Sequence, residues 1–444
     1  MARKKASLDE VKRSFCLLSE SPITSATDDR LGFKDVAKLI NRRILETECV
    51  DNSDGNCRRM IHTTDVFAIY GPWGSGKSSL LAQVERAASE HAAWINFDAL
   101  KYQTDEMILV PLLHRIADVC DTEDARRFFW GMIKALSAFA TDVLIAGSGV
   151  SIKEPVKQLV SSIKNIPISE PSPADKLPSS RAKAIGDAFS GLIRLVLKKS
   201  KRDRLVIAID NLDRCRPAAL LEVLEAIHAI LDENNVTFIL AMDQLVCIRC
   251  IAARYGYTQS EAALYLEKMV PDYFRVPDPW VSSVVDDDHD AISRFLKHLL
   301  TDRACEPIKI YEQLLWAVIG SSAVMRNPRR IKRLLRRLSS FDSDWWQGHA
   351  NESIAIIFVT VISDIWPGLY ATFSIIEKSD WAIFIEKAEQ SSKSKTWIDT
   401  HVDEAFYAFI LALRQLDQEE GGLDTIRDYD TLDSLVGEMR QLGL

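Results

Sequence analysis

One eight-residue segment of the chain has residue types and a spacing suited to holding the phosphates of a nucleotide. Gly71-Pro-Trp-Gly-Ser-Gly-Lys-Ser78 fits the pattern G-x-x-x-x-G-K-[ST] in full. Glycines allow backbone N–H groups to close around phosphate oxygens, and a helix that begins in the loop adds its positive dipole. We therefore expect Lys77 to reach the β- and γ-phosphates and the Ser78 hydroxyl to bind Mg²⁺.

A buried strand that ends in an acid supplies the second element that such a loop needs. Leu205-Val-Ile-Ala-Ile-Asp210 has five apolar residues in a row, typical of a strand covered on both faces, followed by a carboxylate. Ser78 and Asp210 are therefore the predicted protein ligands of Mg²⁺. The residues from which nucleotide contacts are expected are Gly71, Pro72, Trp73, Gly74, Ser75, Gly76, Lys77, Ser78 and Ser79.

A third strand end carries another acid. Phe238-Ile-Leu-Ala-Met-Asp243 has the same pattern. Asp243 either senses the γ-phosphate or the attacking water, or caps the helix that is predicted from Gln244 onward. The chain contains no Asn-Lys-x-Asp element of the kind that reads guanine, so we expect ATP rather than GTP.

Composition narrows the class of protein. The chain has 444 residues, 47% hydrophobic and 27% charged, which argues against wholesale disorder, a collagen-like fibre or a coiled-coil rod. A net charge of −8 restricts nucleic-acid contact to a local basic patch. The eight scattered cysteines favour reduced thiols, and the basic start is followed by too short an apolar patch for a signal peptide. A cytoplasmic location is expected.

The elements that must position these residues alternate between strands and helices. Strands are predicted at 64–70, 93–97, 205–209 and 236–241, and helices at 31–47, 77–89, 105–163, 182–197 and 217–231. This alternation predicts a parallel sheet covered by helices on both faces. The proline-rich residues 164–180 form the clearest linker, and no strand is predicted after Asp290.

Two apolar stretches are too interrupted to span a membrane. Residues 128–152 contain Lys134 and Asp142, and the uncharged run within 354–370 stops at Asp364 and meets Pro367. A span takes about 20 predominantly apolar residues, and a charge near the bilayer centre costs a few kcal/mol. We therefore expect two buried helices and no stable membrane span.

Several segments of the chain resemble, in order, the motifs of one protein family. Ile209-Asp-Asn-Leu-Asp-Arg-Cys-Arg-Pro217 is similar to the extended Walker B motif of the KAP family of P-loop NTPases, which reads Asp-Asp-Leu-Asp-Arg-Cys-x-Pro. The other matching segments are Asp28–Gly32, Trp94–Tyr102, Tyr265–Lys268, Phe274–Pro277 and Asn327–Arg333. The resemblance covers about residues 20–340.

The resemblance implies an α/β fold with a three-layer P-loop NTPase core. Its parallel sheet would have the additional strand shared by AAA+ and STAND ATPases, with a helical insertion and an all-helical C-terminal domain. The expected boundaries are a leader at 1–20, the core at 20–280 with its insertion at about 105–200, a helical lid at 281–340 and the C-terminal domain at 341–444. The resemblance also implies a nucleotide-driven switch, and bacterial members are often linked to phage exclusion or defence.

The chain departs from the motifs of that family at two positions. Asn211 replaces the second Walker B carboxylate, and Asp98 replaces an asparagine at the end of the second strand. Because these two strand ends should lie side by side, we hypothesise a swap in which Asp98 or Asp213 polarises the attacking water and Asn211 orients it. The other interpretation is a slow ATPase, since a carboxylate base typically contributes about 10²–10⁴-fold.

An arginine-rich helix is predicted from Asn327, which can cap it, and Pro328, which suits its first position. Its apolar face comprises Ile331, Leu334, Leu335 and Leu338. Arg329 and Arg330 lie in the first turn, where the helix dipole disfavours cations, so we expect a nucleotide phosphate there, as at the sensor-2 arginine of AAA+ proteins. The alternatives are a nucleic-acid contact or a solvated basic face. The cations that continue that face are Lys332, Arg333, Arg336 and Arg337.

Other side chains carry weaker signals. Either Arg214 or Arg216 acts in trans as an arginine finger of an oligomer, or Arg214 braces the turn from Asp210 to Asp213. We discount Cys247-x-x-Cys250 as a zinc or redox site, because a closed zinc site needs four ligands. We likewise discount Asp286–Asp290 as a metal site. Trp345 and Trp346 are expected to be core or interface anchors rather than base-stacking platforms.

These observations predict a cytoplasmic, Mg²⁺-dependent ATPase that hydrolyses ATP slowly. Its nucleotide state would be coupled to assembly with partner proteins or with further copies of itself, and the resemblance suggests anti-phage defence as the pathway. Two other functions stay open. Asn211 favours a non-hydrolysing ATP-binding scaffold, and the cluster from Arg329 to Arg337 favours a nucleic-acid-stimulated ATPase.

Overall fold

The structure is a computed structural model of the chain. It describes residues 17–19, 21–22, 29–45, 48–51, 57–60, 65–102, 108–133, 178–229, 235–277, 291–321, 327–341, 343–349, 352–390, 398, 402–404, 406–407, 409–411, 413 and 426–441. The chain divides into two units by its contacts. The sheet unit comprises Ile23–Thr27 and Phe33–Val276, and the helical unit comprises Met1–Pro22, Asp28–Gly32 and Pro277–Leu444.

Seven strands are described, all of them in the sheet unit. They are β1 (Glu48–Asp51), β2 (Cys57–Met60), β3 (Asp65–Tyr70), β4 (Ala92–Asp98), β5 (Arg204–Asp210), β6 (Val236–Met242) and β7 (Asp272–Arg275). β1 and β2 pair antiparallel with each other. The other five form one parallel sheet in the order β4-β5-β6-β3-β7.

The position of each strand in the sheet follows from its residues. All seven residues of β6 are buried, and so are the five apolar residues of β5, because both strands have a neighbour on each side and helices around them. β6 lies between β3 and β5. The additional-strand parallel sheet predicted from the sequence is therefore confirmed, and the structure is an α/β P-loop NTPase fold.

The four strands predicted from the sequence are confirmed to within one residue at either end, whereas β7 and the β1–β2 hairpin were not predicted. β7 has only four residues, and three of them are exposed because the strand lies at the edge of the sheet. It therefore lacks the apolar run that marks β5 and β6. It pairs with β3 through Phe67 and Asp272 at one end and Tyr70 and Arg275 at the other.

The helices of the sheet unit connect its strands. They are α1 (Phe33–Leu45), α2 (Lys77–Ala88), α3 (Leu109–Cys120), α4 (Pro178–Ser200), α5 (Pro217–Ala229), α6 (Gln244–Tyr255) and α7 (Gln259–Met269), with a further helical segment at 123–133. These bounds confirm the helices predicted at 31–47, 77–89, 182–197 and 217–231. The predicted linker at 164–180 lies outside the described residues up to position 177, and it is wrong for residues 178–180, which begin α4. The predicted helical tract from 134 to 163 also lies outside the described residues.

Among its described residues, the regular elements of the helical unit are all helical and none is a strand, as predicted. They are α8 (Ala291–Leu299), α9 (Glu312–Ser321), α10 (Pro328–Leu338), α11 (Ser343–Gly348), α12 (Ser353–Ile365), α13 (Pro367–Thr372), α14 (Lys378–Glu389) and α15 (Tyr429–Gln441), with 3₁₀ turns at Arg303–Tyr311 and Phe373–Ile375. Trp346 is 3% exposed and donates to the Leu338 carbonyl, while Trp345 stacks on Phe341. Both tryptophans are therefore packing residues, as predicted.

The arginine-rich helix α10 begins as predicted. The Asn327 side chain accepts from the Arg329 backbone N–H at 3.0 Å, and Pro328 occupies the first turn. Its predicted apolar face is buried. The residues that form this face are Ile331, Leu334, Leu335 and Leu338.

The cations that continue the basic face of α10 bind groups of the helical unit, although the Arg333 side chain is 46% exposed. Lys332 is 9% exposed and its Nζ donates to the Ser19 carbonyl at 2.8 Å. Arg336 donates to the Leu18 carbonyl at 2.6 Å. Arg333 forms a 2.6 Å ion pair with Asp364. Arg337 donates to the Ser363 hydroxyl at 2.7 Å.

The structure describes the second of the two apolar stretches but only the beginning of the first. Of residues 128–152, only those up to 133 are described. In the second stretch, α12 is buried over residues 355–362, and its chain continues into α13. Across the described ranges, no single helix is long and apolar enough to cross a membrane. The helical segments Ser353–Ile365 and Pro367–Ile375 reach the length and apolar composition of a membrane span only when they are taken together, and the chain bends by 113° between them.

Candidate nucleotide-binding site

The glycine-rich loop lies between β3 and α2, where the motif requires it. Gly74 and Gly76 have φ angles of 82° and 106°, in the left-handed region that favours glycine. A Cβ atom on Gly76 would also lie 2.5 Å from Cζ of Phe33, so no other residue fits without displacement of that ring. The loop therefore needs its glycines both for their backbone angles and for close packing.

The ammonium group of Lys77 is folded back onto the loop. Lys77 is 8% exposed, and its Nζ donates to the carbonyl of Gly71 at 2.8 Å and to that of Pro72 at 3.3 Å. The same Nζ lies 3.5 Å from Oδ2 of Asp213. A buried cation is thus held at the N-terminus of α2, beside the cradle that the loop forms.

Ser75 supplies an independent sign that the loop is built around a polar ligand. Its hydroxyl oxygen is buried and has no hydrogen-bond partner among the described residues. Buried polar groups are paired in the great majority of cases, and an orphan is expected where a ligand completes the site. Together with the left-handed glycines and Lys77, this orphan hydroxyl fits a bound phosphate.

Ser78 and Asp210 form the candidate metal site. The Ser78 hydroxyl donates to Oδ2 of Asp210 at 2.5 Å, and the Asn211 backbone N–H donates to Oδ1 at 2.8 Å. Oxygen ligands from a hydroxyl and a carboxylate, with nucleotide phosphates, are the set that Mg²⁺ prefers, so these residues fit the ion. In the ranges the structure describes, no group of three or more His, Cys, Asp and Glu side chains could hold a metal.

Burial raises the pKa of Asp210 above its usual value. The nearby Asp98 carboxylate also raises it, whereas the hydrogen bonds from Ser78 and Asn211 and the charge of Lys77 lower it. Because the pKa of Asp210 is raised overall, the folded protein holds a proton on this carboxylate more tightly than the unfolded chain does. Keeping this carboxylate ionised therefore destabilises the fold, which is common where a charge is kept for a cation.

Asp210→Asn is expected to raise the free energy of unfolding at pH 7, because it removes a charge whose burial raises its pKa. The asparagine carbonyl can accept from the Asn211 N–H and its amide can donate to the Ser78 hydroxyl, so no hydrogen bond is lost. As pH falls through the raised pKa of Asp210, the wild-type carboxyl becomes neutral and the difference should disappear. Urea unfolding without Mg²⁺ across this pH range measures it, with Asp203→Asn, an exposed acid before the same strand, as control. A destabilised Asp210→Asn would contradict this account.

The ends of β4 and β5 lie side by side, as the swap hypothesis requires. Asp98 is the register partner of Asp210, and the Asn211 side-chain amide donates to Oδ1 of Asp98 at 2.9 Å. Asn211 itself has a left-handed backbone with φ of 60°, which directs the chain into a 3₁₀ turn at Leu212–Arg214. The Asp98 side chain is 34% exposed, and its Oδ2 lies 3.8 Å from Lys101.

Asp213 joins the loop to the third strand end. One of its carboxylate oxygens, Oδ2, lies 3.5 Å from Nζ of Lys77 and accepts from the Asp243 backbone N–H at 2.9 Å. Its side chain is 7% exposed. This carboxylate therefore fixes the position of Lys77 and of the end of β6.

Asp243 caps α6. Its Oδ1 accepts from the backbone N–H groups of Leu245 and Val246 at 3.0 and 3.4 Å. Of the two interpretations that the sequence left open, the helix cap is the one that these contacts describe, and a role as γ-phosphate sensor stays a prediction.

The remaining predicted side chains occupy other positions. The Arg214 guanidinium lies 4.9 Å from the ring centre of Trp73, which is 61% exposed at the rim of the loop. Sequence reasoning anticipated neither this stacking nor the packing of Phe33 on Gly76. Cys247 and Cys250 are free thiols, and burial raises the pKa of each. Asp286–Asp290 lies outside the described residues. Arg329 and Arg330 belong to the helical unit, in the first turn of α10.

The fold and the loop define a P-loop NTPase: a strand, a glycine-rich turn and a helix that begins at a buried lysine, beside an acid at the end of β5. The KAP family P-loop domain matches residues 34–344. Because this match covers most of the chain, the protein belongs to the KAP family of P-loop NTPases.

A curated protein gives a more distant comparison. The chain is similar to the phage T7 exclusion protein of Escherichia coli (strain K12), with 24% identity over 272 residues. The similar region is 59% of this chain and 35% of that protein. The chain thus spans about a third of the length of this relative.

Proposed function

We propose that the protein is a Mg²⁺-dependent ATPase that acts as a nucleotide-driven switch. The observation that carries the proposal is the convergence of Lys77, Ser78 and Asp210 at the N-terminus of α2. It is supported by the 2.5 Å contact between Ser78 and Asp210, which brings together a hydroxyl and a carboxylate oxygen, the kinds that Mg²⁺ prefers, beside a buried cation. When bound, Mg²⁺ supplies charge neutralisation for the phosphates, and Lys77 adds a second positive charge.

Asp98 is the carboxylate that we propose to polarise the attacking water. Oδ2 of Asp213 is occupied by Lys77 and the Asp243 N–H, and that side chain is almost fully buried. Asp98 is more exposed, and its Oδ1 is oriented by the amide of Asn211. A general base needs a positioned oxygen that water can reach, and of the two acids the more exposed Asp98 meets this requirement better.

Arg330 supports the proposal that the first turn of α10 binds a phosphate. Its Nη1 is buried and has no hydrogen-bond partner among the described residues. A buried guanidinium nitrogen without an acceptor is costly, and an anion would satisfy it. We propose Arg330, with Arg329, as the nucleotide-binding arginines of the helical unit.

The pathway is proposed from the relative. The similar protein is named for phage T7 exclusion, and the similar region covers about a third of that protein's length. We propose a role in anti-phage defence in the cytoplasm, with the nucleotide state controlling assembly with partner proteins or with copies of the chain. Slow turnover without a partner is expected for switch NTPases of this kind.

ATP hydrolysis by the purified protein with Mg²⁺, measured across a range of protein concentrations, tests the function. We expect slow turnover that requires Mg²⁺, prefers ATP over GTP and rises steeply with concentration if oligomerisation completes the site. Equilibrium binding of ATP is measured in parallel. Absence of ATP binding would overturn the proposal.

A non-hydrolysing ATP-binding scaffold is the second candidate, and Asn211 favours it because a carboxylate is missing at that position. Binding without turnover at every concentration would support it. A nucleic-acid-stimulated ATPase is less favoured, since four cations of α10 bind carbonyl, hydroxyl and carboxylate groups within the helical unit. Those cations are Lys332, Arg333, Arg336 and Arg337.

A further inference from the structure

Two residues of the sheet unit lie at two of the places where the chain passes between the units. The chain enters the described part of the sheet unit at Phe33, directly after Asp28–Gly32 of the helical unit. It leaves at Val276, directly before Pro277. Both residues are buried, Phe33 at 1% exposure and Val276 at 9%.

Each of these residues packs on a glycine of the P-loop. A Cβ atom on Gly76 would lie 2.5 Å from Cζ of Phe33, and a Cβ on Gly71 would lie 3.0 Å from Cγ2 of Val276. Phe33 therefore contacts the last glycine of the loop, and Val276 contacts the first. At both positions the close approach depends on the absence of a side chain on the loop.

The same two segments are fixed to the strand that carries the loop. Val276 continues the pairing of β7 with β3, because its N–H donates to the Tyr70 carbonyl at 2.9 Å. At the far end of α1, Arg43 binds both Asp65 at 2.9 Å and Asp272 at 3.0 Å. These acids begin β3 and β7, so α1, β3 and β7 are joined at one end by this ion-pair set and at the other by the P-loop.

We propose that Phe33 and Val276 are positioning residues that couple the nucleotide state of the P-loop to the helical unit. The proposal rests on the proposed function, since it requires a nucleotide in the loop. Binding of phosphates to the loop N–H groups constrains the backbone at Gly71 and Gly76. Close-packed contacts respond to such constraint by a change of packing rather than by gradual deformation. The change is then passed directly to the two chain segments that lead into the helical unit.

Hydrogen–deuterium exchange of the full chain tests the coupling. Exchange in α8 and α12 of the helical unit is measured with and without a saturating β,γ-imido analogue of ATP and Mg²⁺. In the wild type we expect the nucleotide to change exchange in these helices by about 5-fold or more, the lower end of typical allosteric coupling. Phe33→Leu and Val276→Ala should each reduce that change several-fold although nucleotide is bound.

Matched controls separate positioning from a loss of packing. Ile44→Val alters a fully buried residue of α1 at the end away from the loop. Val270→Ala removes the same two methyl groups as Val276→Ala from a residue that is 2% exposed and precedes β7. Both controls should keep the nucleotide-dependent change in exchange.

The outcomes are distinguishable. If the wild type does not bind the analogue, the proposed function fails and this inference fails with it. If the wild type binds the analogue but α8 and α12 show no change, the function stands and the coupling is overturned. This wild-type comparison needs no variant, so it is decisive even if a variant fails to fold. Equal loss of the change in the control variants, or its retention in Phe33→Leu and Val276→Ala, would also overturn the coupling.

Discussion

Asp98→Asn is expected to lower the ATP turnover number by about 10²–10⁴-fold while ATP affinity is nearly unchanged. The physical reason is that Asp98 offers a partly exposed carboxylate oxygen at the end of β4, next to the predicted metal ligand Asp210. An amide of the same shape keeps the packing but cannot accept a proton from water. Steady-state hydrolysis and equilibrium ATP binding, measured on the same preparation, separate the two effects.

Substitution of Asn211 tests whether Asp98 and Asn211 have exchanged roles. Asn211→Asp alone would place two carboxylates where an amide and a carboxylate now form a 2.9 Å hydrogen bond, so we expect no gain in turnover. The double variant Asp98→Asn/Asn211→Asp restores one amide and one carboxylate, and it should recover most of the lost rate. If Asn211→Asp alone accelerates hydrolysis strongly, the slow-ATPase interpretation is correct instead.

Substitutions of two other acids complete this set of variants. Asp118→Asn removes a half-exposed charge from α3 and should leave turnover unchanged. Asp213→Asn tests the competing assignment of the base. Unchanged turnover in Asp98→Asn together with abolished turnover in Asp213→Asn would overturn the swap hypothesis.

Lys77→Ala is expected to lower kcat/KM for ATP by about 10²–10³-fold, the usual cost of losing one charge-stabilising group. The same change should lower the free energy of unfolding by about 3 kcal/mol, because it leaves the carboxylate of Asp213 buried without its cation. Hydrolysis assays and urea unfolding measure the two effects.

A second variant separates them. Lys77→Ala/Asp213→Asn removes the unpaired charge, and the asparagine oxygen can still accept from the Asp243 N–H. We expect this double variant to regain most of the lost stability and none of the activity. If activity returns along with stability, Lys77 acts only through the fold and the proposed phosphate contact is wrong.

Much of the sheet could be predicted because its central strands have a distinctive composition. β5 has five apolar residues in a row before Asp210, and β6 is apolar except for Thr237 and is followed by Asp243, so both acids lie at the same edge of the sheet. β7 could not be predicted in this way, since a four-residue edge strand buries too little for a pattern to emerge. Its pairing depends on β3, which is about 200 residues earlier in the chain.

The candidate site likewise has residues that the sequence predicts and contacts that it does not. The sequence pattern predicted that Lys77, Ser78 and Asp210 lie together, and the structure brings Ser78 into contact with Asp210 beside Lys77. The packing of Phe33 on Gly76 and the stacking of Arg214 on Trp73 depend on which side chains face each other after folding. Neither contact has a spacing that sequence reasoning could use, although the glycine at position 76 indicates that something approaches the loop closely.

The contacts of residues 17–19 have a consequence for the order in which the protein acquires its structure during synthesis. Leu18 is fully buried, and Leu17, Leu18 and Ser19 bind Asp302, Arg336 and Lys332, which follow them by 285–318 positions. A ribosome adding about 5–20 residues per second needs roughly 15–60 s to make that interval. The strands of the P-loop sheet are complete before α10 exists, so the sheet unit can fold on the nascent chain first. Residues 17–19 therefore leave the ribosome early but are among the last to reach their native contacts. Until they do, their apolar side chains are available to a holding chaperone.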